Sequence, residues 1–397
     1  MQLFSKKTIA LAVMACTSPL LFAQSNASSV QLYGIVDAAY RHTNNEGAGA
    51  DSSLNKMIGG GMSQSRWGIN VKEDLGGGMV ALANLENRVN LDGGDTSSPF
   101  FQQSWVGLQS SSFGRITMGR QYNILFDLVT STYASFPYSP YMDAYKPEIG
   151  MSMGARASNM IKYVAEFGAI RGSLQYSFDE NNTVEDAGTS VNAAGAIKTA
   201  GGYLRYAAHG IAAGAGYQTT TLPGGTKVDA WTMGGSYRTG PMYFNLGYGV
   251  NKRKDAYAMS LAGVIDSALL GAYWTGSSNG GFLPGAGANP AVPATMANLL
   301  DHANKREMVK LGFGYQVTKQ LNLGAHYYHA KQSGSASGAF NGKADFIVAA
   351  ADYAFSKRTD AYFAVDHTKV SGGSGVALDA NGARSRTGIT AGLRHRF

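Results

Sequence analysis

From about residue 29 to the carboxyl terminus, apolar and polar side chains alternate with a period of two, and no stretch sustains a helical period. In the segment 242–251, Met242, Phe244, Leu246, Tyr248 and Val250 fall on one face, and Tyr243, Asn245, Gly247, Gly249 and Asn251 on the other. Ser65 to Lys72 repeats the pattern, with Trp67, Ile69 and Val71 opposing Arg66, Gly68, Asn70 and Lys72. The alternation predicts sixteen strands, near residues 30–41, 63–73, 79–90, 101–109, 113–121, 156–166, 171–178, 200–208, 211–220, 228–237, 242–251, 306–316, 320–331, 344–355, 359–369 and 386–397. An even number of antiparallel strands closes into a barrel with no unpaired edge.

The connections alternate between short and long. Tight turns near 74–78, 110–112, 167–170, 238–241, 317–319 and 356–358 are interleaved with loops near 42–62, 91–100, 122–155, 179–199, 221–227, 252–305, 332–343 and 370–385. This asymmetry fits a transmembrane barrel, whose turns on one side are short and whose loops on the other are long. A propeller would repeat four-strand units, and none is found. The polar faces hold Arg, Lys, Asn, Gln and Gly, which cannot fill a dry core, so the interior is read as a water-filled lumen.

Composition agrees with this picture. The 397 residues include 52 glycines, and only 15% are charged, against roughly 25% in soluble domains. Beyond the first two dozen residues no 18-residue run is continuously apolar, which argues against transmembrane helices. Residues 1–23 read as a signal peptide: Lys6 and Lys7 precede an apolar run, and Ala23 offers a small residue for cleavage. Residues 24–397 then form one barrel domain. Removing the leader takes the net charge from +7 to +5 and removes Cys16, the only cysteine. The alternative is a lipoprotein box ending at Cys16, and it too directs export.

Several segments carry a resemblance. Ser29-Val30-Gln31-Leu32-Tyr33-Gly34-Ile35-Val36-Asp37 resembles the opening strand of the β-proteobacterial general porins. Glu73-Asp74-Leu75-Gly76-Gly77-Gly78 resembles their first periplasmic turn, and Gly119-Arg120-Gln121-Tyr122 the end of their fifth strand. Phe397 closes the chain as in outer-membrane barrels, where it serves recognition by the assembly machinery. The resemblance implies an all-β, sixteen-stranded transmembrane barrel in the cell outer membrane, a homotrimer passing small hydrophilic solutes and ions. It also implies a third loop, here about 122–155, folded into the lumen as the constriction. Implied partners are outer-membrane lipid and lipopolysaccharide, periplasmic chaperones and the barrel-assembly machinery. Pro147-Glu148-Ile149-Gly150 resembles a Pro-Glu-Phe-Gly motif of that loop, with Ile in place of Phe.

In such a pore the working feature is a basic wall facing acidic loop residues. The basic candidates are Arg41, Arg66, Lys72, Arg88, Arg120, Arg156, Lys162 and Arg171, and the loop acids are Asp127, Asp143 and Glu148. Arg120 has the parity of Ile116 and Met118, which places it on the lipid side unless a bulge intervenes. The basic wall and the +5 mature charge predict a weak anion preference. Tyr33, Trp67, Trp105, Tyr163, Trp231, Tyr315 and Tyr353 are candidates for aromatic girdles.

Signals for an enzyme are poor. Gly276-Ser277-Ser278-Asn279-Gly280 matches a nucleophile-elbow pattern but sits in a loop-like stretch without the flanking strand and helix. His326 and His329, three apart on a strand, point to opposite faces and cannot share a metal. No catalytic site, cofactor, metal or nucleic-acid partner is expected. A substrate-selective channel and a plugged barrel serving as adhesin or anchor are the alternatives to general diffusion. The loop 252–305, with a helix-forming stretch and a Gly/Pro-rich segment, has no assigned role.

Overall fold

The computed structural model describes residues 28–46, 51–135, 151–152, 155–178, 198–221, 227–253, 304–339, 341–374, 376–378 and 382–397. The leader, Asp143, Glu148, the Gly276–Gly280 motif and nearly all of the loop 252–305 lie outside the described residues.

The described chain forms one antiparallel sheet: β1 (Ser29–Thr43), β2 (Leu54–Ile58), β3 (Arg66–Gly76), β4 (Met79–Val89), β5 (Thr96–Ser110), β6 (Gly114–Tyr122), β7 (Arg156–Phe167), β8 (Ile170–Ser177), β9 (Lys198–Ala208), β10 (Ile211–Thr221), β11 (Lys227–Thr239), β12 (Met242–Arg253), β13 (Lys305–Gln316), β14 (Leu321–Ser333), β15 (Gly342–Ala354), β16 (Thr359–Gly372) and β17 (Ser385–Arg396). From β3 to β17 each strand pairs with the next in sequence, and β17 returns to β1 from Ile35–Arg396 to Thr43–Gly388. Phe397 completes the seam, exchanging backbone hydrogen bonds with Gly34 at 3.1 Å in both directions.

Seventeen segments make sixteen staves, because β2 and β3 are two halves of one. Both pair with β1, β2 along Ala39–Thr43 and β3 along Ser29–Ile35. The predicted single strand at 63–73 is therefore preceded by a second piece, and the segment 59–65 between them leaves the sheet.

The two faces divide as the alternation requires. Leu174, Leu204, Leu246, Leu311, Ile347 and Leu393 are exposed on the outer face, Leu204 by 67%. Their neighbours Ser173, Tyr203, Asn245, Lys310, Phe346 and Arg394 are buried on the inner one. Large apolar groups that stay exposed around an entire closed sheet match a lipid-facing band. The only described helix of several turns, α1 (Ile124–Thr132), lies inside the barrel between β6 and β7. Asn123 caps it, its side chain accepting from the Phe126 N–H at 2.8 Å. The sequence reads this stretch as loop. Its helix is apolar because it packs on the wall: Ile124, Leu125, Leu128 and Val129 are fully buried.

Candidate functional site

Among the described residues, two inward elements shape the lumen. The first is α1 and its continuation. Its path along β8 to β14 is fixed by polar contacts to inward side chains. The Ile124 N–H donates to Gln175 Oε1 at 2.8 Å, Arg205 to the Ser131 carbonyl at 2.9 Å and Tyr243 to the Ala134 carbonyl at 2.8 Å. Tyr133 bonds Thr232 at 2.5 Å, and Ser135 bonds Tyr328. The Tyr133 ring lies against Gly234 and Gly247: a Cβ at either would stand 2.6 Å from it, so only glycine admits the ring there. Lys310, fully buried, donates to Ser135 Oγ at 3.2 Å and sits 5.5 and 5.7 Å from the Tyr133 and Tyr328 ring centres.

The second inward element is the segment 59–65, and the sequence gives little warning of it. Asp37, fully buried on β1, accepts from the Gly61, Met62 and Ser63 N–H groups at 3.1, 3.2 and 2.7 Å and from the Tyr362 hydroxyl at 2.5 Å. Ser65 Oγ replaces the missing ladder, accepting from the Asp37 N–H and donating to its carbonyl. Gly61 lies over the inward side chains of Ala39, Tyr362 and Thr390, a layer further into the lumen than the wall itself. Arg394 donates to Ser63 Oγ at 2.6 Å.

The basic candidates separate into groups. Arg66, Arg88 and Arg156 gather about one carboxylate, Glu86. Arg156 lies 3.3 Å and Arg66 3.8 Å from it, and Arg88, cross-strand from Arg66, adds its field. Arg66, Arg156 and Glu86 are each less than a tenth exposed. Two arginines directly opposed on one face repel, and the carboxylate beside them offsets part of that. The Tyr122 hydroxyl accepts from Arg156 at 2.9 Å, while the Tyr33 hydroxyl donates to Glu86 and accepts from Asn84. Among the described residues these three guanidiniums share the neighbourhood of the Glu86 carboxylate.

The others are matched or elsewhere. Arg41 forms a two-pronged pair with Asp366 at 2.7 and 2.9 Å and also bonds Thr390. Lys162 donates to Asp127 on α1 at 2.7 Å and to the Tyr122 carbonyl at 2.8 Å. Lys72 shares the Arg66 face but lies six residues, about 20 Å, nearer the short-turn end. Arg171, bonded to Glu166 at 2.5 Å, is next to a short turn. Arg120 keeps the parity of the exposed Ile116 and Met118 and donates to Ser158 Oγ at 2.8 Å. A bulge does occur here, on the partner strand: Arg120 opposes both Ser158 and Asn159, and Asn159 takes a left-handed φ of 52°.

Of the aromatic candidates, Tyr163, Tyr315 and Tyr353 are exposed on the outer face. Tyr33 points into the lumen, to Glu86, and Trp105 shares the inner face with its cross-strand partner Asn84. Strand propensity draws aromatics to both faces, so aromatic identity alone does not give the side. Glu86, Asp37 and Asp366 are functional neighbours that sequence reasoning passed over. Glu86 was findable: it alternates with Asn84 and Arg88 on one polar face.

A family model for Gram-negative porins matches residues 10–373. The chain is 33% identical over 244 residues to outer membrane porin protein 32 of Delftia acidovorans, covering 59% of this chain and 66% of that protein. It is 34% identical over 180 residues to an outer membrane porin protein of Bordetella pertussis, covering 40% and 45%. The chain thus spans less than two thirds of the length of either relative. Among solved structures, the anion-selective porin from Comamonas acidovorans superposes with a TM-score of 0.66 at 24% identity, covering 94% of this chain and all of that one. The trimer form of OmpT from Vibrio cholerae gives a TM-score of 0.61 at 14% identity, covering 94% and 100%; both likenesses concern the fold. These relatives are porins rather than enzymes. With the family match across most of its length, the chain belongs to the Gram-negative porins and is a transmembrane β-barrel of the outer membrane.

Proposed function

We propose that this barrel is a general diffusion pore for small hydrophilic solutes and ions with a weak anion preference, acting as a homotrimer. The observation that carries the reading is the gathering of Arg66, Arg88 and Arg156 on one stretch of the inner wall about Glu86. Elsewhere on the wall, Arg41 and Lys162 each face an acid at 2.7 Å, so their fields largely cancel at the distance of a passing ion. In this reading the arginine cluster sets the sign. A transverse field inside a narrow, low-dielectric wall lowers the energy of anions and raises that of cations without binding either tightly. Polar and glycine residues on the remaining inner face favour water-filled passage rather than a dedicated binding site.

α1 supplies the narrowing in this reading. Anchored from Gln175 to Tyr328, it holds its own polar groups against the wall and leaves the arginine side facing the aqueous path. Phe397, sealing β17 to β1, is the proposed signal for the assembly machinery. Purified protein in a planar bilayer under a salt gradient tests the proposal. Conductance steps in groups of three with an anion-signed reversal potential are expected. Absence of steps from folded protein would contradict an open pore, and saturable block by one solute class would favour a substrate-selective channel.

A further inference from the structure

Among the described residues, Trp105 on β5 is the tryptophan that faces inward, while Val106 and Leu108 beside it point outward and are 59% and 44% exposed. Across the ladders it stands directly opposite Asn84 on β4 and Gly119 on β6. The β6 position beside the indole therefore carries no side chain. The indole itself is half-buried, and among the described residues it makes no hydrogen bond and stacks on no other ring. Trp231, on the outer face, packs instead on Tyr248. Tryptophan N–H groups in folded proteins usually find a partner, so an uncommitted indole on a pore wall points to a transient one.

The arginine cluster stands one step away. Gln103, two residues before Trp105 on the same face, is directly opposite Glu86. Two residues of strand are about 7 Å, and Trp105 is on the short-turn side. Asn84 links the two levels: it faces Trp105 across the ladder and donates to the Tyr33 hydroxyl, which donates in turn to Glu86. The other rings here are already engaged. Tyr33 lies over Gly68, where a Cβ would stand 2.7 Å from its ring. Tyr122 has the Arg156 guanidinium 4.4 Å and the Phe126 ring 5.0 Å from its ring centre. Trp105 is thus the uncommitted π-face beside the guanidiniums of Arg66, Arg88 and Arg156.

We infer that the wall at Trp105 is a stacking station for aromatic monocarboxylates, with the carboxylate at the arginine cluster and the ring on the indole. A carboxylate held by the arginines leaves a one-ring body at the level of the indole. Ring pairs of this kind gain roughly two- to twelve-fold beyond simple burial of area. That is weak enough for release, as conduction requires. The inference rests on the proposed anion-accepting cluster. Its test compares monoanions of equal charge, so its failure is distinct from failure of that reading, which the reversal potential in potassium chloride decides.

The test is block of the single-channel chloride current in planar bilayers by benzoate, cyclohexanecarboxylate and acetate. Wild type is expected to be half-blocked by benzoate at a concentration roughly two- to twelve-fold below that for cyclohexanecarboxylate, with acetate the weakest. Trp105→Ala should bring benzoate level with cyclohexanecarboxylate, and Trp105→Phe should keep most of the difference. Conductance steps in potassium chloride alone certify that each variant is a folded, open barrel. A benzoate preference that survives Trp105→Ala overturns the inference. Equal half-blocking concentrations of benzoate and cyclohexanecarboxylate in wild type overturn it without any variant, so the inference stays testable if Trp105→Ala does not fold.

Discussion

Asp37 offers the sharpest perturbation, because one carboxylate holds a whole segment. Asp37→Ala removes the acceptor for three backbone N–H groups and one hydroxyl, all buried. A buried donor left unmet costs about 1–3 kcal/mol. Even at the low end, the three amides sum to about 3 kcal/mol, which is roughly a hundred-fold in a local opening equilibrium. The loss is local, since β1 keeps its ladder to β17 on one side and to β3 below. The assay is hydrogen exchange by mass spectrometry on protein in detergent micelles. Protection of the amides at Gly61, Met62 and Ser63 should fall by about that factor while β12 to β16 exchange as in wild type. Release of the segment from the lumen should also raise the conductance step. Unaltered protection at these three amides in a folded Asp37→Ala barrel would refute the claim that the carboxylate fastens them.

Three further outcomes are expected. Gly234→Leu drives a side chain into the Tyr133 ring, an overpacking of about 1–3 kcal/mol, and should push the end of α1 into the lumen; single-channel conductance falls, and an unchanged step would show that the helix end is not seated there. Lys162→Met strands the Asp127 carboxylate, about 3–5 kcal/mol for a broken buried pair and less here because Asp127 is a quarter exposed, and should speed hydrogen exchange in α1. Glu46, in the loop after β1, is opposed by burial, but Lys56, Thr43 and Arg386 outweigh it and hold its carboxyl below the ordinary 4.5. With a depressed value in the fold, its stabilisation is complete above pH 4.5 and disappears as pH falls through the lower folded value. Amide protection at residues 43–46 should therefore drop in acid, and Glu46→Gln should flatten that dependence.

Much of the barrel was legible because a period of two is imposed by geometry and by lipid on one side. The strand predicted at 242–251 is observed as Met242–Arg253 and that at 211–220 as Ile211–Thr221. The alternation is silent where the chain leaves the sheet. Gly59-Gly60-Gly61 carries no period, so nothing local announces that 59–65 folds inward; its partners Asp37 and Tyr362 come from distant staves. Parity puts Arg120 with Ile116 and Met118 while the resemblance puts it in the pore wall, and the register shift opposite Ser158 and Asn159 falls at this position. What parity cannot give is pairing around the circumference. Arg41 looks like a free wall charge until Asp366, 325 residues away in sequence, is seen beside it. Glu86 meets Arg156 only because β4 and β7 curve about the same lumen.

The central claim is that the cluster of Arg66, Arg88 and Arg156 sets the sign of ion preference. An ion passing roughly 7 Å from one unit charge in water feels about 0.6 kcal/mol, or about 2.7-fold in its partitioning, before screening. Neutralising all three as Arg66→Gln, Arg88→Gln and Arg156→Gln takes three positive charges from this part of the wall and leaves the Glu86 carboxylate in place. The decisive measurement is the reversal potential of this triple variant beside wild type, in planar bilayers under one salt gradient. The expected result is an anion-signed potential in wild type and a cation-signed one in the variant, with Glu86→Gln moving the opposite way. The same potential in all three proteins, each conducting, would contradict the claim.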